Sequence, residues 1–170
     1  MKTISTEKKP VINDVTQNLN VLLADDDPAD CLLFKDALEE LPLSTHLTTV
    51  HNGEQLMEAI TQKGKKLPDV LFLDLNMPRK NGFAALGQIK RNDKLDKLPV
   101  IIFSTASDFK AVKQVFRDAA HYYIIKPDDF SQLKKVIYEA ITLITQKNKS
   151  YPLENDFMIT GNATIIPAKQ

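Results

Sequence analysis

Three carboxylates stand in one unbroken run, Asp25-Asp26-Asp27, and a fourth, Asp74, closes the apolar stretch Val70-Leu71-Phe72-Leu73. Ser104 ends a further apolar stretch, and Lys126 follows another, Tyr122-Tyr123-Ile124-Ile125. Brought together, two like charges about 4 Å apart repel by roughly 4 kcal/mol at an effective dielectric near 20. Such a group needs a counter-charge or must retain a proton. Oxygen ligands favour a hard cation, and Mg2+ binds through one or two carboxylates together with waters and phosphate oxygens. No His or Cys stands at the ends carrying Asp25, Asp26 and Asp74, which disfavours a softer metal. A carboxylate carrying a phosphoryl group has three non-bridging oxygens to satisfy. Mg2+, the Ser104 hydroxyl and the Lys126 ammonium would take one each. Helix capping is the competing reading of the aspartate run, and Asp27 followed by Pro28 suits it. One side chain suffices for a cap, so Asp25 and Asp26 stay unexplained by it. Asp74, Ser104 and Lys126 would each pass singly for ordinary turn or surface residues; the case rests on their joint occurrence.

The elements between these residues alternate. Leu19 to Ala24 is short and almost wholly apolar, as a strand buried on both faces should be. A helix follows from Pro28, with Ala29, Leu32, Leu33, Ala37 and Leu41 at helical spacing, and Pro42 ends it. Leu47 to Val50 reads as a weaker, more polar strand near an edge, and Asn52 caps a helix from Gly53 to about Lys63. Val70 to Leu73 is a second buried strand, followed by a loop from Leu75 to Asn81 and a helix to about Arg91. Val100 to Ser104 is the fourth strand, and Asp108 caps a helix to about Asp118. Tyr122 to Ile125 is the fifth strand. A last helix runs from about Asp129 to Gln146 with Leu133, Val136, Ile137, Ala140, Ile141 and Ile144 as its apolar stripe. Five strands alternating with five helices predict an α/β fold, a doubly wound parallel sheet. With the flavodoxin-like order 2-1-3-4-5, the switch point falls between the first and third strands. Those strands end in Asp25-Asp26 and in Asp74.

Composition sets the outer bounds. At 170 residues, with 43% hydrophobic and 26% charged, the chain suits one globular core with extensions. Lys+Arg and Asp+Glu both total 22, so no basic excess points to a nucleic-acid or membrane partner. The single cysteine, Cys31, excludes an intramolecular disulfide and is expected to act as a buried small hydrophobe. Met1 to Asn18 is polar with no apolar run behind it, and no window reaches membrane-spanning length. The expectation is a soluble cytoplasmic protein, in which the glycosylation sequons at Asn148 and Asn162 are chance.

The segments VLLADDDPAD (21–30), DVLFLDLNMPRKNGF (69–83), LPVIIFSTASD (98–108) and YYIIKP (122–127) together resemble the response-regulator receiver family. The resemblance spans residues 19 to 146 and leaves 1–18 as an N-terminal extension. Residues 147–170 form a C-terminal tail too short for a DNA-binding or catalytic output domain. It implies Asp74 as phosphoacceptor, Asp25 and Asp26 as the metal-binding pair, and the Asn76 backbone carbonyl as a further Mg2+ ligand. It further implies Ser104 as the switch hydroxyl, Lys126 as the phosphate-binding lysine, and Tyr123 as the aromatic that turns inward on activation. Pro127 matches the position usually preceded by a cis peptide, and Met77-Pro78 and Gly82 match the loop after the acceptor. The motif DLNMPRKNG looks especially like small stand-alone receivers associated with phytochrome-type sensor kinases. Thr105, where Ala or Gly is frequent, flanks the phosphate entrance. His121-Tyr122 departs from the usual small residues before the fifth strand, with His121 read as a surface residue.

The implied chemistry is phosphoryl transfer from a phosphohistidine of a sensor kinase or phosphorelay protein to Asp74, with a downstream protein target and a homodimer as further expected partners. It is a signalling switch, not a turnover enzyme. Aspartate-nucleophile phosphohydrolases need an acid two residues after the nucleophile, where Asn76 stands and cannot transfer a proton. A flavin-type phosphate would be repelled by Asp25-Asp26-Asp27, and an interaction module never phosphorylated would have lost part of the constellation. In the tail, Phe157-Met158-Ile159 and Ile165-Ile166 are apolar islands that could dock on the domain itself or across a dimer, or remain disordered.

Overall fold

The protein is described here by a computed structural model that covers residues 18–146 and 150–169; the N-terminal extension expected over 1–18 lies, Asn18 apart, outside the described residues, as does the Asn148 sequon. Five parallel strands, β1 (Leu19–Ala24), β2 (Thr45–Val50), β3 (Val70–Leu73), β4 (Val100–Ser104) and β5 (Tyr122–Ile125), form one sheet in the order β2-β1-β3-β4-β5. Between and after them lie α1 (Pro28–Glu40), α2 (Gly53–Thr61), α3 (Gly82–Lys90), α4 (Phe109–Arg117) and α5 (Phe130–Thr145). The doubly wound order and the helix count agree with the flavodoxin-like expectation.

Period-two alternation along each strand feeds two separate cores. Leu22, Leu71, Leu73, Val100 and Ile102 pack on one face against Leu56 and Ile60 of α2, Leu86 and Ile89 of α3 and Val115 of α4. Val21, Leu23, Val70, Phe72, Ile101 and Phe103 pack on the other against α1 and α5. There Phe34, Phe72 and Phe103 meet edge to face, with centroids 4.9 to 6.3 Å apart. The α5 stripe is buried as expected. On α1 the buried side chains are Phe34, Ala37 and Leu38, while Leu32 and Leu33 are 57% and 47% exposed. Helical spacing admits both sets, and the fit of Phe34 between Phe72 and Phe103 selects one.

Two boundaries differ. β2 begins at Thr45, two residues before the apolar signal at Leu47, because its ladder to β1 is backbone-driven and pairs Leu19 with Thr45. α2 ends at Thr61, before the polar Gln62. Each helix is capped by a side chain: Asp27, Asn52, Asn81, Asp108 and Asp129 accept from N–H groups of the first turn. Gly82 abuts the Asp74 carbonyl so closely that a Cβ would lie 2.3 Å from that oxygen, which is why α3 starts on glycine. Its N–H donates to Leu75 O at 3.0 Å and closes the loop behind the acceptor.

The tail docks on its own chain. Tyr123 N donates to Phe157 O at 3.0 Å and Ile159 N to Tyr123 O at 2.9 Å, so Met158 pairs with Tyr123 as a parallel bridge on the free edge of β5. Phe157 and Ile159 are buried on opposite faces of that edge, whereas Ile165 is 87% exposed. Further along, Glu139 accepts from Gly161 N and Thr164 Oγ1, and Lys169 Nζ donates to Glu39 O at 2.7 Å. His121 is buried, contrary to the surface reading: its Nδ1 accepts from Val100 N at 3.2 Å and its ring stacks on Tyr151 of the tail, centroids 4.5 Å apart. No helix among the described residues is long and apolar enough to cross a membrane.

Candidate functional site

The carboxyl ends of β1 and β3 bring Asp25, Asp26 and Asp74 together, with one carboxylate oxygen from each lying within 4.8 Å of the others. Asp25 and Asp74 are buried and Asp26 is exposed, so the cluster opens outward through Asp26. Lys126, at the end of β5, reaches across: its Nζ is 2.7 Å from Asp25 Oδ2 and 3.5 Å from Asp74 Oδ2. Ser104 is fully buried at the end of β4, and its Oγ accepts from Ala106 N at 3.2 Å. Asn76 is exposed, and its N–H donates to Asp74 Oδ1 at 3.3 Å. Thr105 is exposed beside Ser104. The residues singled out at the strand ends thus converge, through the strand order alone.

Burial raises the carboxyl groups of Asp25 and Asp74 above the usual carboxylate range, against the opposing pull of Lys126 on both. Burial alone would lower the Lys126 ammonium, but hydrogen bonds to Asp25 and Asp30, with the charge of Asp74 behind, push it upward. Three carboxylates, those of Asp25, Asp30 and Asp74, face this one ammonium, and Asp26 adds a fourth beside Asp25 and Asp74. The excess is negative, and the buried Asp25 Oδ2 has Lys126 Nζ at 2.7 Å as its counter-charge. A hard, all-oxygen donor set from Asp25, Asp26 and Asp74 with an excess of negative charge fits a divalent cation of the Mg2+ type.

Asp30 is the site residue that reading strand ends missed. Its Oδ2 lies 2.7 Å from Lys126 Nζ, as close as Asp25. A signal was present: Asp30 stands three residues after the Asp27 cap, and helical side chains tilt toward the N-terminus, which here aims it back at the strand ends. Cys31 is half-buried, not fully buried; its thiol donates to Asp25 O at 3.4 Å, and burial together with Asp25 pushes it up to about 11. His51 Nδ1 lies 3.1 Å from the same carbonyl.

One expectation needs correction. Among the described residues there is no cis peptide bond, so Lys126–Pro127 is trans, the isomer favoured by about 0.5–1 kcal/mol for X–Pro. The Tyr123 ring already lies inward, fully buried under Phe157, with its hydroxyl donating to Ala106 O. Burial pushes that phenol up to about 12.

Comparison with known proteins agrees with this geometry. Residues 21–138 match the response regulator receiver domain family. The chain is 28% identical over 122 residues to the probable methanogenesis regulatory protein FilR2 of Methanothrix harundinacea, covering 70% of this chain and 79% of that protein. It is 27% identical over 121 residues to response regulator Rcp1 of Synechocystis, covering 69% and 82%. Against the transcriptional regulator NtrC of Escherichia coli it is 34% identical over 122 residues, 72% of this chain but only 24% of that longer protein. Among solved structures, the phosphorylated cyanobacterial phytochrome response regulator RcpA superposes with a TM-score of 0.69 at 28% identity, covering 81% of this chain and 100% of that one. The Mn2+-bound form of Rcp1 superposes at 0.67 with 25% identity, covering 79% and 99%. The protein with its Asp25-Asp26-Asp74 cluster and Lys126 belongs to the response regulator receiver domains of two-component systems.

Proposed function

We propose that the protein is a phosphorylation switch in which Asp74 takes a phosphoryl group from a phosphohistidine of a sensor kinase or phosphorelay protein. The observation that carries this reading is the 3.5 Å approach of Lys126 Nζ to a buried Asp74 carboxylate flanked by Asp25 and Asp26. Asp74 Oδ attacks the phosphorus while the histidine nitrogen leaves. Lys126 and the Ser104 hydroxyl then face oxygens of the new acyl phosphate. Asp25, Asp26, Asp74 and the Asn76 carbonyl are the residues that would hold Mg2+, which supplies charge neutralisation for the incoming phosphoryl group. Thr105 and Pro127 shape the loops on either side.

Asn76 supports a switch over a hydrolase, since no acid stands there to drive turnover. The stand-alone phytochrome-associated receivers it resembles support an output through protein contact, made by the cytoplasmic domain on a protein target or a second copy. The test is phosphotransfer from a sensor kinase, or from acetyl phosphate with Mg2+, followed by intact mass. One phosphoryl group is expected on the wild type and none on Asp74→Asn; label retained at an unchanged site in the variant overturns the reading.

A further inference from the structure

Tyr123 belongs to the edge strand β5, and its ring is buried in the core that also holds Ala111 and Val115 of α4. With β4 on one side and α4 across the ring, the open way out of that core leads past the free edge of β5. Phe157 stands in that way. Its ring is buried, 6.3 Å from the Tyr123 ring and 5.1 Å from that of Phe116 in α4, edge to face with both. The main chain closes the same edge, with Tyr123 N donating to Phe157 O at 3.0 Å and Ile159 N to Tyr123 O at 2.9 Å. Further along, the tail is fastened again where Glu139 of α5 accepts from Gly161 N and Thr164 Oγ1. At its inner end Tyr123 reaches the loop after β4: its hydroxyl donates to Ala106 O, and Ala106 N donates to Ser104 Oγ. The Ser104 hydroxyl in turn bears on both the Asp74 carboxyl and the Tyr123 phenol, opposing the effect of burial on each. The inward ring is thus tied at one end to the loop that faces the acceptor and shut in at the other by the tail. An outward Tyr123 ring and a docked Phe157 would need the same space.

We propose that Phe157 is a positioning residue for the switch: docked on the β5 edge, it holds Tyr123 inward whether or not Asp74 is modified, and so favours phosphorylation of Asp74. The inference rests on reading Asp74 as the phosphoacceptor and Tyr123 as the aromatic that turns inward on activation. A ring that spent only part of its time inward would lower the apparent affinity of the site in proportion to that fraction. The docked tail removes this loss by excluding the outward position. Docked tail with inward ring is one state, and undocked tail with outward ring is the other. Because coupling is reciprocal, a modified Asp74 that draws Tyr123 inward must also fasten the tail more tightly.

The test compares the full chain with Phe157→Ala, using Mg2+ and beryllofluoride as a phosphoryl mimic. Occupancy of Asp74 is read from the fluorine resonance of the bound mimic, which Asp74→Asn should lack. The wild type is expected to bind the mimic at least about fivefold more tightly than Phe157→Ala. The position of the ring is read from the Tyr123 hydroxyl proton, protected from exchange while it is buried against Ala106 O. In the wild type this proton should be protected with or without the mimic, and in Phe157→Ala only with it. Loss of stability alone would not produce that restoration. Ile159→Pro, which removes the tail's donor to Tyr123 O and leaves both rings in place, should repeat both effects. Equal affinities in the wild type and the variants overturn the positioning role and leave the phosphoacceptor intact. A hydroxyl proton that stays protected in the variants without the mimic does the same. Absence of a bound resonance in the wild type overturns the reading of Asp74, and the inference with it.

Discussion

Lys126 and Asp30 form an ion pair, Nζ to Oδ2 at 2.7 Å, that ties the end of β5 to the first turn of α1. The pair matters because the phosphoryl group needs the same ammonium. A hydrogen bond between charged groups is worth about 1.5–3 kcal/mol net, and Asp30 is about one-third exposed, which reduces its hold. Asp30→Asn should therefore free Lys126 and speed acetyl phosphate labelling of Asp74 by roughly three- to tenfold. Asp30→Glu should restore the wild-type rate. A slower rate in Asp30→Asn would show instead that Asp30 holds Lys126 in its working position.

Removing Lys126 poses the opposite problem. Asp25 and Asp74 would remain buried with their counter-charge gone, and breaking a buried pair from one side costs about 3 kcal/mol. Lys126→Met should unfold at lower urea than the wild type in a chelating buffer. Magnesium ions should recover more of the loss in the variant, since ligand stabilisation grows with affinity and the competing ammonium is absent. Equal Mg2+-induced shifts in Tm for the two proteins would show that Lys126 and the ion do not compete for this charge.

The sequence was most legible where burial and backbone pattern agree. Val70–Leu73 reads as a strand because both its faces are covered, and Asp74 is conspicuous as the polar residue that ends it. Thr45 and His46 of β2 carry no apolar signal, since an edge strand needs the ladder and little else. Asp30 was hidden for a different reason. Its partner Lys126 is 96 residues away, and only the packing of α1 against α5, the helix that follows Lys126, brings them together. His121 was misread because the ring that covers it, Tyr151, comes from a tail whose path no local pattern specifies.

Phe157 tests how much that tail contributes to the fold. It is 1% exposed and packed edge to face with Phe116. Truncating a buried Phe costs about 3–5 kcal/mol, with the lower figure expected here because the segment can detach as a unit. Phe157→Ala should lose about 3 kcal/mol in urea unfolding while Ile165→Ala, at an exposed position, stays within about 0.5 kcal/mol of wild type. Equal effects would mean that the docked tail adds nothing to stability.

Lys90 gives the tail a signature in pH. Its Nζ donates to Asp96 O, Leu98 O and the Tyr151 hydroxyl, and burial lowers the ammonium to about 8, with Asp96 acting the other way. Below pH 8 both folded and unfolded chains hold this proton, and the folded chain bears the cost of burying the charge. Between about 8 and the ordinary lysine value of 10.5 the unfolded chain binds more of the proton, so stability rises with pH across that window. The contribution is complete above 10.5 and is lost as the pH falls through about 8. Other lysines titrate near the top of this range, so the readout is the difference between the wild type and Lys90→Met, which lacks the group. The wild type should gain stability relative to the variant as the pH is raised from 7.5 to 10. Parallel urea midpoints over that range would show that the three acceptors around Nζ keep the ammonium at its ordinary value.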